Sequence, residues 1–341
     1  LNRTGNSAKT AWVRGCAGIA VAAMKEREDQ GYCVELDWWS LEMRRKTFWQ
    51  VDAFTTEPFC GNPAAVVFEA DDLPTETMQA VAREMNLSET VFVVAPKDPK
   101  ADYGIRIFTP RSELPFAGHP TLAAAFAMLE SGRIRKAPLP RTLMQECGMG
   151  LVPVEVSKAD PAPLLVMTQG RPYYSAAEVD SVTLIGMLGC EEDDLMDRPV
   201  EVVSTGVPWM IVPLRTKEAI SSLRPDLGLV ESVCRECGAV GVTVFCLEAE
   251  DPSSQVKVRT FAPGEGIVED PVCGSGNGSV AAYIARHGLM GEGPVSYWAE
   301  QGKEILRPGK VLAAFSPSGS GDWEIRVGGQ AVRVIEGEIF T

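Results

Sequence analysis

A side chain that takes a proton from carbon and then returns it must sit in a dry setting, beside groups that hold the anion formed in between. Glu89 suits that work because it opens the run Glu89-Thr90-Val91-Phe92-Val93-Val94, whose apolar residues would draw it out of water. Partial desolvation raises a carboxyl pKa toward neutrality, which lets one group act first as base and then as acid. Two Gly-rich turns could hold the anion: Ala117-Gly118-His119-Pro120 and Cys273-Gly274-Ser275-Gly276-Asn277-Gly278, each leading into an Ala-rich run. A helix N-terminus offers unpaired N–H donors and partial positive charge, so two of them facing one cleft form a receptor for a carboxylate or an enolate-like oxygen. In a single turn of this kind the glycines would signify close packing; a matched pair favours the anion site.

Both turns belong to a longer duplication. The first copy runs Thr90-Val91-Phe92, Arg106-Ile107-Phe108-Thr109-Pro110, then Glu113-Leu114-Pro115-Phe116-Ala117-Gly118-His119. About 153 residues later come Thr243-Val244-Phe245, Arg259-Thr260-Phe261-Ala262-Pro263, then Glu269-Asp270-Pro271-Val272-Cys273-Gly274-Ser275. A unit this long is a duplicated domain rather than a solenoid repeat. The copies disagree where chemistry would occur: Glu89 stands against Val242, His119 against Ser275, Asp270 against Leu114 and Cys273 against Ala117. Leu114 shows that this position of the fold does not itself require a carboxylate, so Asp270 is assigned to the site. His119, opposite Ser275 in the repeat and near Glu89, is read as a polar group that holds a substrate.

The elements that must carry these residues follow the same order twice. Strands are predicted over 47–54, 64–68, 90–95 and 103–109, with helices over 75–85, capped by Thr75, and over 120–130. The second half gives strands over 200–204, 209–214, 240–247 and 255–261, with helices over 216–222, 226–236 and 277–287. The runs Thr121–Leu129 and Ser279–Ala285 are apolar nearly all round, so each helix must be buried on every side, as if threaded through a strongly curved sheet. Pro120 suits a first turn, and Gly132 and Gly288 suit the exits.

Residues 1–45 match nothing in the repeat and are expected to form a poorly ordered extension; Met43-Arg44-Arg45-Lys46 has the look of a protein start. The two domains are then expected over 46–170 and 171–341, with the last strand able to cross back to the first. With 341 residues, 45% of them hydrophobic, the chain has room for both. A net charge of −14 and the lack of any basic run argue against nucleic acid or an anionic membrane as partner. The apolar stretch Val13–Met24 is broken by Arg14 and is too short to span a bilayer. Nine cysteines without small-scaffold spacing suit a reducing, cytoplasmic setting. Cys234-Arg235-Glu236-Cys237 lacks the second ligand pair that zinc wants, Cys60 is read as structural and His287 as a helix-end contact, so no metal site is assigned.

The run Asp52-Ala53-Phe54, Gly61-Asn62-Pro63-Ala64-Ala65-Val66, Asn86-Leu87-Ser88-Glu89-Thr90 and Leu114-Pro115-Phe116-Ala117-Gly118-His119-Pro120 resembles the PhzF-like phenazine-biosynthesis family, within the diaminopimelate-epimerase-like fold. Glu269-Asp270-Pro271-Val272-Cys273-Gly274-Ser275-Gly276 is similar to that family's second-half signature, and the resemblance covers roughly residues 47 to 341. It implies an α+β fold of two pseudo-symmetric domains, each a barrel-like mixed sheet around a central buried helix. It further implies cofactor-free chemistry in the cleft between them, with Glu89 as acid/base, and His119, Asp270 and Ser275 holding and polarising the substrate. A homodimer is also implied. Racemases and epimerases of this fold oppose two cysteines; here Cys273 faces Ala117, so a two-thiol mechanism is absent and Cys273 is at most auxiliary.

The resulting expectation is a cofactor-independent isomerase of a small carboxylate-bearing metabolite. Glu89 is catalytic, His119, Asp270, Ser275, Gly118, Gly274 and Gly276 support the substrate, and Cys273 is a candidate auxiliary. The alternatives are a racemase, epimerase or dehydratase of an amino acid or hydroxyproline-like compound, and a non-catalytic small-ligand-binding protein on the same fold.

Overall fold

The computed structural model describes residues 44–135, 137–319 and 321–341, together with three strands, Thr10–Gly15, Gly18–Lys25 and Cys33–Glu35, that pair antiparallel in that order. The remainder of the N-terminal stretch, expected to be a poorly ordered extension, lies outside the described residues. The described residues within 1–45, with 339–341, form one compact unit, and the described residues within 46–338 form a second, which holds every candidate site residue.

Strand order carries the duplication into three dimensions. Strand Arg45–Ala53 pairs antiparallel with Asn62–Val67, which pairs parallel with Glu89–Val94; that strand pairs antiparallel with Tyr103–Phe108, which takes Arg141–Cys147 in parallel. In the second half Glu201–Ser204, Pro208–Pro213, Gly241–Cys246, Val256–Ala262 and Val295–Gln301 repeat this alternation of pairings. A short strand then pairs at the same point in each: Leu114 lies opposite Ile107, and Asp270 opposite Thr260. The mismatch between Leu114 and Asp270 is therefore a true structural equivalence. Strands of both halves join in one closed mixed sheet.

Among the described residues six α-helices accompany the sheet: α1 (Thr75–Met85), α2 (Gly118–Glu130), α3 (Ser181–Leu188), α4 (Lys217–Ser222), α5 (Leu227–Cys237) and α6 (Gly274–Arg286). The helices expected to be buried on all sides are so. Every residue of α2 from His119 to Met128 is buried, as are Gly274 and residues 276–285 of α6. Small side chains let strands approach: Ala123, Ala124, Ala125 and Ala127 of α2, with Ala281, Ala282 and Ala285 of α6, share one apolar core. Alternation along the second-half strands divides their two faces, since Val203, Trp209 and Ile211 enter that core while Val202, Met210 and Val212 join a second cluster with α3 and α5.

A helix wrapped this closely cannot absorb extra volume. Ala282→Leu is expected to cost about 1–3 kcal/mol, read as a lower denaturation midpoint. Val182→Leu, at an exposed position of α3, should leave the midpoint in place.

Gly132 and Gly288, at φ 71° and 61°, follow α2 and α6 as expected. Two local expectations need correction. Thr75 does not cap α1; Pro74 holds that position, and the Thr75 hydroxyl instead accepts from Arg106 Nη2 at 3.0 Å. Helix α6 also starts three residues earlier than expected. Cys273 occupies its N-cap and accepts a hydrogen bond at Sγ from the Gly276 N–H (3.3 Å), which brings Gly274, Ser275 and Gly276 into the first turn.

Candidate active site

Glu89 begins its strand beside Ala64 of the parallel neighbour, with its side chain 12% exposed. Burial pushes the carboxyl up to about 7, and a hydrogen bond from Ser88 pulls it partly back. Its Oε2 lies 3.1 Å from His119 Nε2, yet without the alignment of a hydrogen bond, and this buried oxygen has no donor. His119 is the second residue of α2. Burial drives its imidazole down to about 4, against the opposing pull of Asp270 and of a hydrogen bond to the Pro63 carbonyl. At neutral pH His119 is therefore uncharged, a polar contact rather than an acid.

Asp270 ends the strand Ile267–Asp270. Its Oδ1 accepts from Asn62 Nδ2 at 2.8 Å and from the Val272 N–H at 3.2 Å. Burial raises this carboxyl to about 6, with His119 lowering it and Glu89 raising it further. Glu89 and Asp270 thus face each other electrostatically in one dry site, and their titrations belong to the pair.

At the start of α6, Cys273 occupies the same capping position that Ala117 holds in α2. Its Sγ lies 3.5 Å from Ser275 Oγ, and burial, reinforced by Asp270, pushes the thiol well above its ordinary range. A thiol held in that form is protonated and a poor base. Ser275 Oγ accepts from Trp209 Nε1 at 3.0 Å. The two helix ends come together at their first glycines, where a Cβ on Gly118 would lie 4.0 Å from Gly274 Cα and 3.3 Å from Met167 Cε. A Cβ on Gly276 would come within 2.9 Å of Thr243 Oγ1. The glycines thus permit the close packing of both helix starts, and the Gly276 N–H is already taken by Cys273 Sγ.

The structure brings Glu89, His119, Asp270, Cys273 and Ser275 together around the ends of α2 and α6. Sequence reasoning passed over three further residues. Asn62, buried, spans the halves through Asp270 and the Val272 carbonyl (3.0 Å), leaving its Oδ1 without a donor. Comparing Gly61-Asn62-Pro63 with Gly206-Val207-Pro208 would have exposed it as one more polar-for-apolar mismatch. Gln301 accepts from the Cys273 N–H (3.2 Å) and Asn277 Nδ2 (2.9 Å) and donates to the Asp270 carbonyl (2.9 Å). Trp209 orients Ser275. Neither Gln301 nor Trp209 had a signal in the repeat.

Other residues fall outside the site. His287 ends α6 as expected, but its ring meets Glu201 Oε2 at 2.9 Å. Cys60, Cys234 and Cys237 are free thiols. A cavity of about 680 Å³, lined by Phe54, Lys257, Trp298, Gln301 and Glu304 among others, contains none of Glu89, His119 and Asp270. Among the described residues no helix is long and apolar enough to cross a membrane.

A family profile described as "Phenazine biosynthesis-like protein" matches residues 51–337. The chain is 35% identical over 294 residues to the trans-2,3-dihydro-3-hydroxyanthranilate isomerase of Pseudomonas aeruginosa, covering 85% of this chain and 98% of that one. It superposes on a phenazine biosynthesis protein of the PhzF family from Bacillus anthracis with a TM-score of 0.81 and 29% identity, over 88% of this chain and 100% of the other. A hydroxyproline epimerase from Agrobacterium vitis shares the fold, with a TM-score of 0.55 at 15% identity over 87% and 93% of the two chains.

Proposed function

The chain belongs to the phenazine biosynthesis-like protein family, with an epimerase-like α+β fold, and on that footing we propose that it is a cofactor-independent isomerase that moves a proton on carbon in a small carboxylate-bearing metabolite. The isomerase class is supported by the relatives, which bear that name. Glu89 is the acid/base, working between the halves 46–170 and 171–341. One observation carries this assignment: a carboxyl poised near pH 7 in a dry site, with one buried oxygen lacking any donor.

In its ionised form Glu89 takes the proton from a carbon next to an electron-withdrawing group. The negative charge that develops on the substrate is met by the N–H groups opening α2 and α6 and by their dipoles. Asp270, held by Asn62, and neutral His119 orient the substrate's polar groups, as does Ser275. Glu89, now protonated, then delivers the proton to a different carbon, which completes the isomerisation and restores its own charge.

A racemase with opposed thiols fits less well, because Ala117 occupies the position facing Cys273 and that cysteine is held as a protonated cap. A binding protein without turnover would have no use for a carboxyl raised to neutrality at the expense of stability. The test is incubation in heavy water with small carboxylates, among them trans-2,3-dihydro-3-hydroxyanthranilate and 4-hydroxyproline. Deuterium appearing at carbon in one of them, read by mass spectrometry, is the expected result. Binding of a carboxylate with neither exchange nor product would overturn the proposal in favour of the binding protein.

A further inference from the structure

Two ion pairs that the chemistry above does not use occupy equivalent places in the repeat. Arg106 donates through Nε and Nη2 to the two carboxylate oxygens of Glu113, at 2.7 Å each, and Arg259 does the same to Glu269, at 2.9 Å each. Each arginine precedes the ladder pair that aligns the halves, Ile107 opposite Leu114 and Thr260 opposite Asp270. A fork-on-fork pair of this kind fixes both the separation and the angle of the segments it joins.

The settings of the two pairs differ. Arg106 and Glu113 have side chains 30% and 40% exposed, whereas Arg259 and Glu269 are each 7% exposed. Arg259 Nη1 also donates to the Ile220 carbonyl at 3.0 Å, tying the pair to α4. The residue that follows differs too: Leu114 after Glu113, Asp270 after Glu269. Successive strand side chains point to opposite faces, so a Glu269 locked onto Arg259 turns Asp270 toward Asn62 and His119. The backbone ladder alone specifies this position weakly, because the strand Ile267–Asp270 pairs across a register shift between Thr260 and Ala262.

We propose that the buried Arg259–Glu269 pair is the positioning device for Asp270, setting the register and facing of the short strand that carries it. Arg259 and Glu269 are positioning residues and touch no substrate. A buried ion pair is weak evidence of net stability, and specific placement is the better-attested use of such a pair. The duplication supplies its own control: the same fork in the first half positions only a leucine. This inference rests on the reading of Asp270 as a site residue, and is independent of whether Glu89 moves a proton.

The test uses the full chain, labelled with carbon-13 at the aspartate carboxyls, and follows the titration of Asp270 by NMR, assigned by difference from Asp270→Asn. In the parent, burial and the neighbouring Glu89 hold Asp270 above the ordinary aspartate range, against the opposing pull of His119 and of a hydrogen bond from Cys273. Arg259→Lys keeps the charge and loses the fork, while Glu269→Gln keeps the shape and loses one acceptor. Each is expected to lower the Asp270 midpoint by about one pH unit while cooperative unfolding is retained. Arg106→Lys should leave the midpoint unmoved. An unchanged midpoint in folded Arg259→Lys or Glu269→Gln protein, or an equal movement with Arg106→Lys, overturns the proposal. Glu269→Gln carries the test if Arg259→Lys does not fold. Because the free protein is read without substrate, a failure of the Glu89 chemistry would appear in the exchange assay and leave this result standing.

Discussion

Glu89→Gln is expected to lower turnover by about 10²–10⁴-fold while making the folded protein more stable at neutral pH. The two effects share one cause. In the parent, burial raises the carboxyl from an ordinary 4.5 to about 7. The folded state then holds the proton more tightly than the unfolded state, so Glu89 lowers stability progressively as pH rises from about 4.5 to 7, and by a constant amount above that. Glutamine carries no charge to bury and escapes this cost, on the order of 2–3 kcal/mol for a side chain so little exposed. Chemical denaturation at pH 5 and pH 8 checks the sign: the advantage of Glu89→Gln should be small at the lower pH and full at the higher. Activity retained in a well-folded Glu89→Gln protein would refute the catalytic assignment.

The pH dependence of turnover follows from the same carboxyl. The free enzyme must present Glu89 as a base, so kcat/KM should climb as the coupled pair of Glu89 and Asp270 loses protons between about 6 and 7. His119 lies too low to shape this limb. Ser88 lowers the Glu89 pKa by its hydrogen bond, and Ser88→Ala should therefore move the limb toward higher pH. Movement toward acid would contradict the hydrogen bond's assigned role.

The parts of this site legible in the sequence were those that the duplication doubled and then altered. The all-round apolar runs of α2 and α6 had no explanation except complete burial, and the Gly-rich turns placed their N-termini. Asp270 against Leu114 stood out because an ionisable group replaced an apolar one at a position the strand ladders later proved equivalent. Glu89 was set against Val242, but the ladders place it one residue earlier, against Gly241: Ala64 pairs with Glu89 where Trp209 pairs with Gly241, and Thr90 pairs with Phe108 where Val242 pairs with Phe261. Residues lying outside the repeated sequence motifs stayed hidden. Gln301 comes from a strand beyond the repeated motifs, and its contacts with Cys273 and Asn277 arise only when that strand, Val295–Gln301, is laid parallel to Val256–Ala262. Strands such as Gly150–Ser157 alternate buried and exposed residues cleanly once seen, but none of the repeated motifs falls on them. The start of α6 was set too late because a thiol is an uncommon cap; the usual Ser, Thr, Asp or Asn was missing.

Arg307→Met should be among the most destabilising single changes outside the two central helices, at about 3–5 kcal/mol. Asp52 is 1% exposed, and its carboxylate is answered by Arg307 Nη2 at 2.9 Å and by the Phe59 N–H at 2.8 Å. The same guanidinium donates to the Cys60 carbonyl at 2.8 Å and to the Gly61 carbonyl at 2.9 Å. It thereby clamps a loop that holds Phe54 and Phe59 at φ 65° and 68°, a backbone region that bulky residues adopt only when surrounding contacts impose it. Burial already raises Asp52 above the ordinary range despite Arg307, and removal of the arginine would raise it further. A raised carboxyl favours the folded state at low pH, so the deficit of Arg307→Met should deepen as pH rises through the carboxylate range and nearly close in acid. Asp52→Asn in the same chain removes the stranded charge and should recover part of the loss, which a double-mutant cycle would measure. Additive losses would assign the cost to the carbonyl contacts rather than to the charge. Because Gly61 leads directly into Asn62, and Asn62 holds Asp270, the same cycle read in turnover asks whether this loop carries stability alone or also sets the site.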